Sequence, residues 1–346
     1  MNKTIKTAIA IIALIAFSFN AYAVNDNQQG SGGTAAAKVG TAGAQFLRIP
    51  FGARGVGMGG AYSAVANDLS SVYWNPAGIA DVKSIGAEFN YTQWFATYTH
   101  SAAIAAMPIS SDFTVAVNMV NFSSGDILIT TMDDPEGIIG AKYQVADMSM
   151  GITFAGYLTQ EFSFGITAKY INNSIYNVSA SGLAFDIGTM YNTNIYGIKI
   201  AFSIENLGGE TSYEGQGLRD MKKYQEEDWT APLDVSYVAY PYSYPLIFRA
   251  GISSDLYNVD DHKIIGAFDF ATFSDVPEQF AFGAEYTYSD LISLRGGYQF
   301  GQDQFGIAGG IGINYEGDGF AGKFDYSISP TFDLGLVNRF TVGVKF

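Results

Sequence analysis

The chain closes on Arg339-Phe340-Thr341-Val342-Gly343-Val344-Lys345-Phe346, where Phe340, Val342, Val344 and Phe346 alternate with Thr341, Gly343 and Lys345. Successive side chains of a strand point to opposite faces, so this pattern writes a strand with one apolar face. The same period recurs upstream. Ile198, Ile200, Phe202 and Ile204 oppose Lys199, Ser203 and Glu205. Phe280, Phe282, Tyr286 and Tyr288 oppose Gly283, Glu285 and Thr287, and Phe324, Tyr326 and Ile328 oppose Lys323, Asp325 and Ser327. An apolar face on every strand needs an apolar surround. A strand ending the chain on an aromatic residue suits the closing strand of a bacterial outer-membrane barrel, where an unpaired edge cannot face lipid.

About fourteen such segments are present, each near the 9–11 residues that a tilted membrane strand needs. They are 84–94, 97–108, 113–122, 147–158, 162–176, 181–192, 196–206, 244–255, 262–273, 279–289, 291–300, 306–315, 319–329 and 338–346. A charge on the lipid face at the bilayer midplane would cost about 2–4 kcal/mol. The apolar sets therefore face lipid and the charged sets face the lumen. With both termini on the periplasmic side, the two long gaps, 123–146 and 207–243, fall among the outer loops, and the short gaps fall among the inner turns. Composition agrees. Charged residues are 15% of the chain, against about 25% in soluble domains.

The first 23 residues read as a secretory signal peptide: Lys3 and Lys6, an apolar run over 7–19, then Ala21-Tyr22-Ala23. The expected organisation is a signal peptide over 1–23, an N-terminal extension and plug over 24–83, and the transmembrane barrel over 84–346. No later run offers the roughly 18 apolar residues of a membrane helix.

Other function classes are disfavoured by what the chain contains. The net charge of −15 opposes nucleic-acid binding. The absence of Cys removes disulfides and thiolate chemistry. Only His100 and His262 could act as imidazole bases. Ser101 beside His100 points to the opposite face, and His262 falls in an inner turn, so no enzyme is expected. Both histidines are read as ordinary surface or interface residues. The acidic loop Met132-Asp133-Asp134-Pro135-Glu136-Gly137 matches no calcium-loop spacing. No metal and no cofactor are expected.

The stretch 39–81 does not alternate. It carries Gly52-Ala53-Arg54-Gly55-Val56-Gly57-Met58-Gly59-Gly60, and later Tyr73-Trp74-Asn75-Pro76-Ala77-Gly78. Its glycines lack the βαβ context of a phosphate-binding loop. A compact plug is the better reading, since a barrel this wide holds either a plug or a channel. Arg54, Asn75, Pro76 and Gly78 are its candidate lumenal residues. The lumenal charges are of mixed sign and include Glu88, Lys169, Glu205, Arg249, Glu285, Arg295 and Lys323. Such a set could hold the plug through Arg54.

Phe46-Leu47-Arg48-Ile49, Gly52-Ala53-Arg54, Gly57-Met58-Gly59-Gly60-Ala61, Ala64-Val65-Ala66-Asn67-Asp68 and Tyr73-Trp74-Asn75-Pro76-Ala77-Gly78 together resemble the N-terminal signature of the PorV/PorQ outer-membrane family of Bacteroidota. That family is in turn similar to FadL-type barrels, which also have fourteen strands and an N-terminal plug. The resemblance implies a non-enzymatic barrel that binds protein partners in type IX secretion or surface-protein display. Pro50-Phe51-Gly52 stands before Ala53-Arg54 where the PorV branch carries Pro-Asp, which points to a general family member. Expected partners are outer-membrane lipid, the barrel-assembly machinery, and a type IX translocon subunit or secreted cargo protein. The partner surface would lie on the fourth outer loop at Trp229, Tyr237, Tyr240, Tyr242 and Tyr244, because exposed aromatics carry interfaces. The alternative is FadL-like transport of hydrophobic small molecules. It predicts an apolar pocket between plug and wall, and a lateral gap at a kinked strand, marked by Asn172-Asn173-Ser174 or Gly309-Gly310.

Overall fold

The structure is a computed structural model and describes residues 40–222, 232–317 and 319–346. The expected signal peptide and Trp229 lie outside the described residues.

Fourteen strands form one antiparallel ring. They are β1 (Gly86–Gln93), β2 (Thr99–Pro108), β3 (Phe113–Ser123), β4 (Val145–Tyr157), β5 (Phe162–Ile175), β6 (Val178–Asn192) and β7 (Lys199–Gly208). The ring continues through β8 (Ile247–Val259), β9 (His262–Phe273), β10 (Gln279–Tyr288), β11 (Ile292–Phe300), β12 (Ile307–Gly317), β13 (Phe320–Pro330) and β14 (Leu336–Lys345). Each overlaps one expected segment. The terminal strand closes the barrel on the first, with Phe89 opposite Val342 and Tyr91 opposite Phe340. This pairing removes the last open edge, as an outer-membrane barrel requires.

The alternation sorts by face. Along β1, buried and exposed residues alternate strictly, with Glu88, Asn90 and Thr92 inside and Phe89 and Tyr91 outside. Phe340, Val342 and Val344 of β14 likewise project outward. Phe346 follows the strand and donates its amide to the Ile85 carbonyl at 2.8 Å. The long connections, 124–144 and 209–246, lie at one end of the barrel, and the turns at the other end are short. The long connections carry small hairpins of their own, Ile127–Leu128 with Lys142–Tyr143 and Arg219–Lys222 with Leu233–Ser236.

The strand register shifts between Phe185 and Ile187 and between Asp255 and Tyr257. It does not shift at the two positions the sequence suggested. Asn172 and Asn173 pair regularly with Ser181 and Ala180, because the inward Asn173 amide is satisfied by Asp147 at 2.8 Å without leaving the ladder. Gly309 and Gly310 also stay in register, and Gly310 instead leaves room for the close approach of Gly57. The expected lateral gap at these sites is therefore corrected.

Residues 44–82 lie against the inner faces of the strands. They form short turns: Gln45–Arg48, α1 (Ala53–Gly57), α2 (Ser71–Trp74) and Pro76–Asp81. Trp74 anchors them, donating from Nε1 to the Phe51 carbonyl at 3.1 Å and meeting Tyr62 edge-on at 5.8 Å. Asn75 ties the segment to the wall. Its Nδ2 donates to the carbonyls of Ser63 and of Thr189 on β6, while its Oδ1 accepts from the Ala77 amide and caps the following turn. Pro76 sits directly on Gly165 of β5, where a Cβ would collide with the Pro76 backbone. Gly78 packs as closely on Ala66.

Candidate ligand cavity and the charge network beneath it

At the long-loop end, the N-terminal segment and the wall enclose a cavity of about 420 Å³. Its floor is Val56, Gly59, Gly60, Tyr73 and Trp74. Phe122, Phe273, Ile307 and Ala308 come from the outer ends of β3, β9 and β12. The connections add Trp94 and Phe305, whose rings lie 5.6 Å apart, with Phe95 beside both. The surface is mainly apolar, and its size falls within the range of ligand pockets.

A few polar groups break the apolar lining. Gln299 and Gln302 both donate to the Gln279 side-chain oxygen at 2.9 Å. Arg48 pairs with Asp275 at 3.3 Å and lies over the Phe273 ring. Arg249 pairs with Glu205 at 3.0 Å and lies over Trp74. Burial pushes the Tyr73 phenol up to about 12, so it stays neutral and donates to the Arg48 carbonyl at 3.0 Å.

A second cavity of about 470 Å³ opens at the short-turn end and is mostly polar. α1 lies between the two, with Val56 lining the upper cavity and Arg54 the lower. Arg54 makes a two-pronged ion pair with Glu285 of β10, at 2.8 and 2.7 Å. Glu285 is shared with Arg295 of β11, Arg295 reaches Asp325 of β13, and Lys323 of β13 joins Asp325, Glu88 of β1 and Asp68. Burial alone would raise the Asp68 carboxyl, but the Lys323 ammonium and the Arg54 guanidinium outweigh it. They hold Asp68 well below the ordinary carboxylate range. Every ion in this chain of contacts has an opposite partner, which is what makes so many buried charges tolerable.

The other expected site residues are dispersed. Tyr237 and Tyr240 are exposed, at 50% and 94%. Tyr242 and Tyr244 turn inward. The Tyr242 hydroxyl donates to Asn173 at 3.1 Å and its ring covers Gly43, while Tyr244 is 3% exposed. The Gly43 amide bonds the Ser243 carbonyl at 3.0 Å, so this stretch fastens the N-terminal segment and does not form one tyrosine surface. Of the two readings, surface or interface, His100 takes the second: it is buried between Phe51 of the N-terminal segment and Phe122 of the wall. His262 is exposed and its Nδ1 lies 2.7 Å from the Tyr286 hydroxyl. The Asp134 carboxylate accepts from the amides of Ile138 and Ile139 at 2.8 and 2.9 Å, which turns it inward to cap its own loop. Among the described residues no group of three or more His, Asp or Glu could hold a metal ion.

Sequence reasoning missed the cavity's roof and Arg339. Phe305 belongs to no alternating segment, and Trp94 was read only as the end of a strand. Arg339 precedes Phe340 in an alternating strand, so its inward direction was legible; that no carboxylate among the described residues meets it was not.

No family model matches the sequence, and no curated protein matches it. Solved structures do resemble the fold. The Pseudomonas putida toluene transporter TodX is 12% identical, with 85% of this chain and 96% of that one covered at a TM-score of 0.55. The Ralstonia pickettii toluene transporter TbuX is 11% identical over 85% and 97% of the two chains, with a TM-score of 0.52. A Pseudomonas aeruginosa FadL homologue is 12% identical over 86% and 98%, at 0.50. The chain therefore has the fold of FadL-type barrels, and its closed ring of strands with an apolar outer face suits the lipid of a bacterial outer membrane. The expected PorV/PorQ assignment and type IX secretion role are corrected by this repeated likeness to FadL-type barrels.

Proposed function

We propose that this barrel is an outer-membrane channel that captures small hydrophobic molecules in the cavity at its long-loop end. The observation that carries the reading is the aromatic-lined space of about 420 Å³ between the N-terminal segment and the wall. Burial of an apolar molecule there gains roughly 25 cal/mol for each Å² removed from water. The likeness to barrels described as toluene transporters supports the same reading. In this proposal 1–23 directs export, 24–83 forms the plug that floors the cavity, and 84–346 spans the membrane.

The test is calorimetric titration of the protein in lipid nanodiscs with a neutral aromatic such as naphthalene. Saturable binding is expected. Ala308→Trp, which fills the cavity from β12, should remove it. Binding that fails to saturate, or that survives Ala308→Trp, would overturn the proposal.

A further inference from the structure

Arg339 differs from the other buried cations of the barrel. Arg54, Arg249, Arg295, Lys169 and Lys323 each lie against a carboxylate, and so does the less buried Arg48. Arg339 is 2% exposed and has no carboxylate partner among the described residues. Its Nη1 donates to the Ser329 hydroxyl at 3.2 Å, and its guanidinium lies 5.5 Å over the Trp94 ring. Its Nε has no hydrogen-bond partner. These groups line the apolar cavity together with Phe305. An ion taken out of water is expensive unless an opposite charge meets it, and five donors in a fixed fork match a carboxylate. The wall supplies no such charge beside Arg339. Asp147 of β4 also lines the cavity, and its carboxylate accepts from the Asn173 amide.

We propose that the cavity takes an aromatic molecule bearing one acid group, with its carboxylate on Arg339 and its ring against Trp94 and Phe305. This rests on the proposed function, and it adds a charge requirement to it. The aromatic lining favours a ring in offset or edge-on contact. Gln299 and Gln302 each commit one amide N–H to the Gln279 oxygen, and the charged fork of Arg339 is the stronger donor to a carboxylate.

The experiment compares 2-naphthoate with the neutral 2-naphthamide at pH 7.5, by calorimetry on the full barrel in nanodiscs. The acid should bind about ten- to a hundredfold more tightly, the range for a charged hydrogen bond. Arg339→Met should abolish the difference between acid and amide. Because it removes an unpaired buried charge, that variant should melt no earlier than the wild type, whereas a purely structural arginine would lower the melting temperature. Equal affinities for acid and amide in the wild type would overturn this inference and leave the proposed function standing. A preference for the acid that persists in Arg339→Met would overturn the assignment to Arg339. Binding of neither compound would overturn both.

Discussion

Arg54 is the residue on which the seating of the N-terminal segment turns. It reaches Glu285 with two nitrogens, bonds Asn67 at 2.7 Å, and lies over the Tyr62 ring. Removing it leaves Asp68 with Lys323 and leaves Glu285 with Arg295 alone. Breaking a buried pair from one side costs about 3–5 kcal/mol, so Arg54→Ala should lower the melting temperature of the purified barrel. It should also loosen α1 and raise single-channel conductance in planar bilayers; unchanged conductance would show that the partition does not depend on this arginine. Asp68 sets the pH range of the contact. An unfolded aspartate titrates near pH 3.9, and the folded carboxyl lies well below that. Its stabilising contribution is therefore fully present above about pH 4 and is lost only as pH falls through the lower folded value. Acidification from pH 8 to pH 5 should leave its contribution unchanged. An Asp68→Asn difference in melting temperature that varies across that range would contradict it.

The strands were legible in the sequence because lipid enforces a rule on every second residue. All fourteen came through, down to the pairing of the last strand with the first. What joins a wall to its contents follows no such local rule. Arg54 could be placed against carboxylates, but the choice of Glu285 over the others depends on how α1 meets β10 to β13. Asn172-Asn173-Ser174 read as a kink because a polar run in a strand often marks one; here the amide is satisfied across to β4. The neighbouring glycines of β11 show the same limit. Gly296 faces outward, with open space where its Cβ would be, while a Cβ on Gly297 would collide with the backbone of Met58 and Gly59. Sequence gives both as Gly, and only the segment packed behind them separates the two. Gly297→Val should therefore cost about 1–3 kcal/mol through overpacking and expose 44–82 to added protease, while Gly296→Val should do neither. Equal protease sensitivity of the two variants would mean that the segment is not held by this close approach.

At the scale of the whole molecule, the barrel divides into an apolar chamber under the long loops and an ionic one at the short-turn end, with α1 between them. The division has a consequence for passage. On the proposed function, a hydrophobic molecule is stabilised in the upper chamber and meets a mostly polar chamber below, whose lining includes Arg54, Asp68, Glu88, Glu285, Arg295 and Lys323. Capture and onward movement are then separate steps, and the second needs α1 or the wall to yield. Deletion of 42–82 tests the division directly. The barrel closes through the pairing of β14 with β1, a ladder that includes no residue of the segment. The deleted barrel should insert, conduct ions as an open pore, and lose saturable binding of naphthalene, because the floor of Val56, Tyr73 and Trp74 is gone. A deleted barrel that inserts but stays closed would place the barrier in the loops. One that still binds naphthalene saturably would place the binding site in the wall and its aromatic roof, at Trp94 and Phe305.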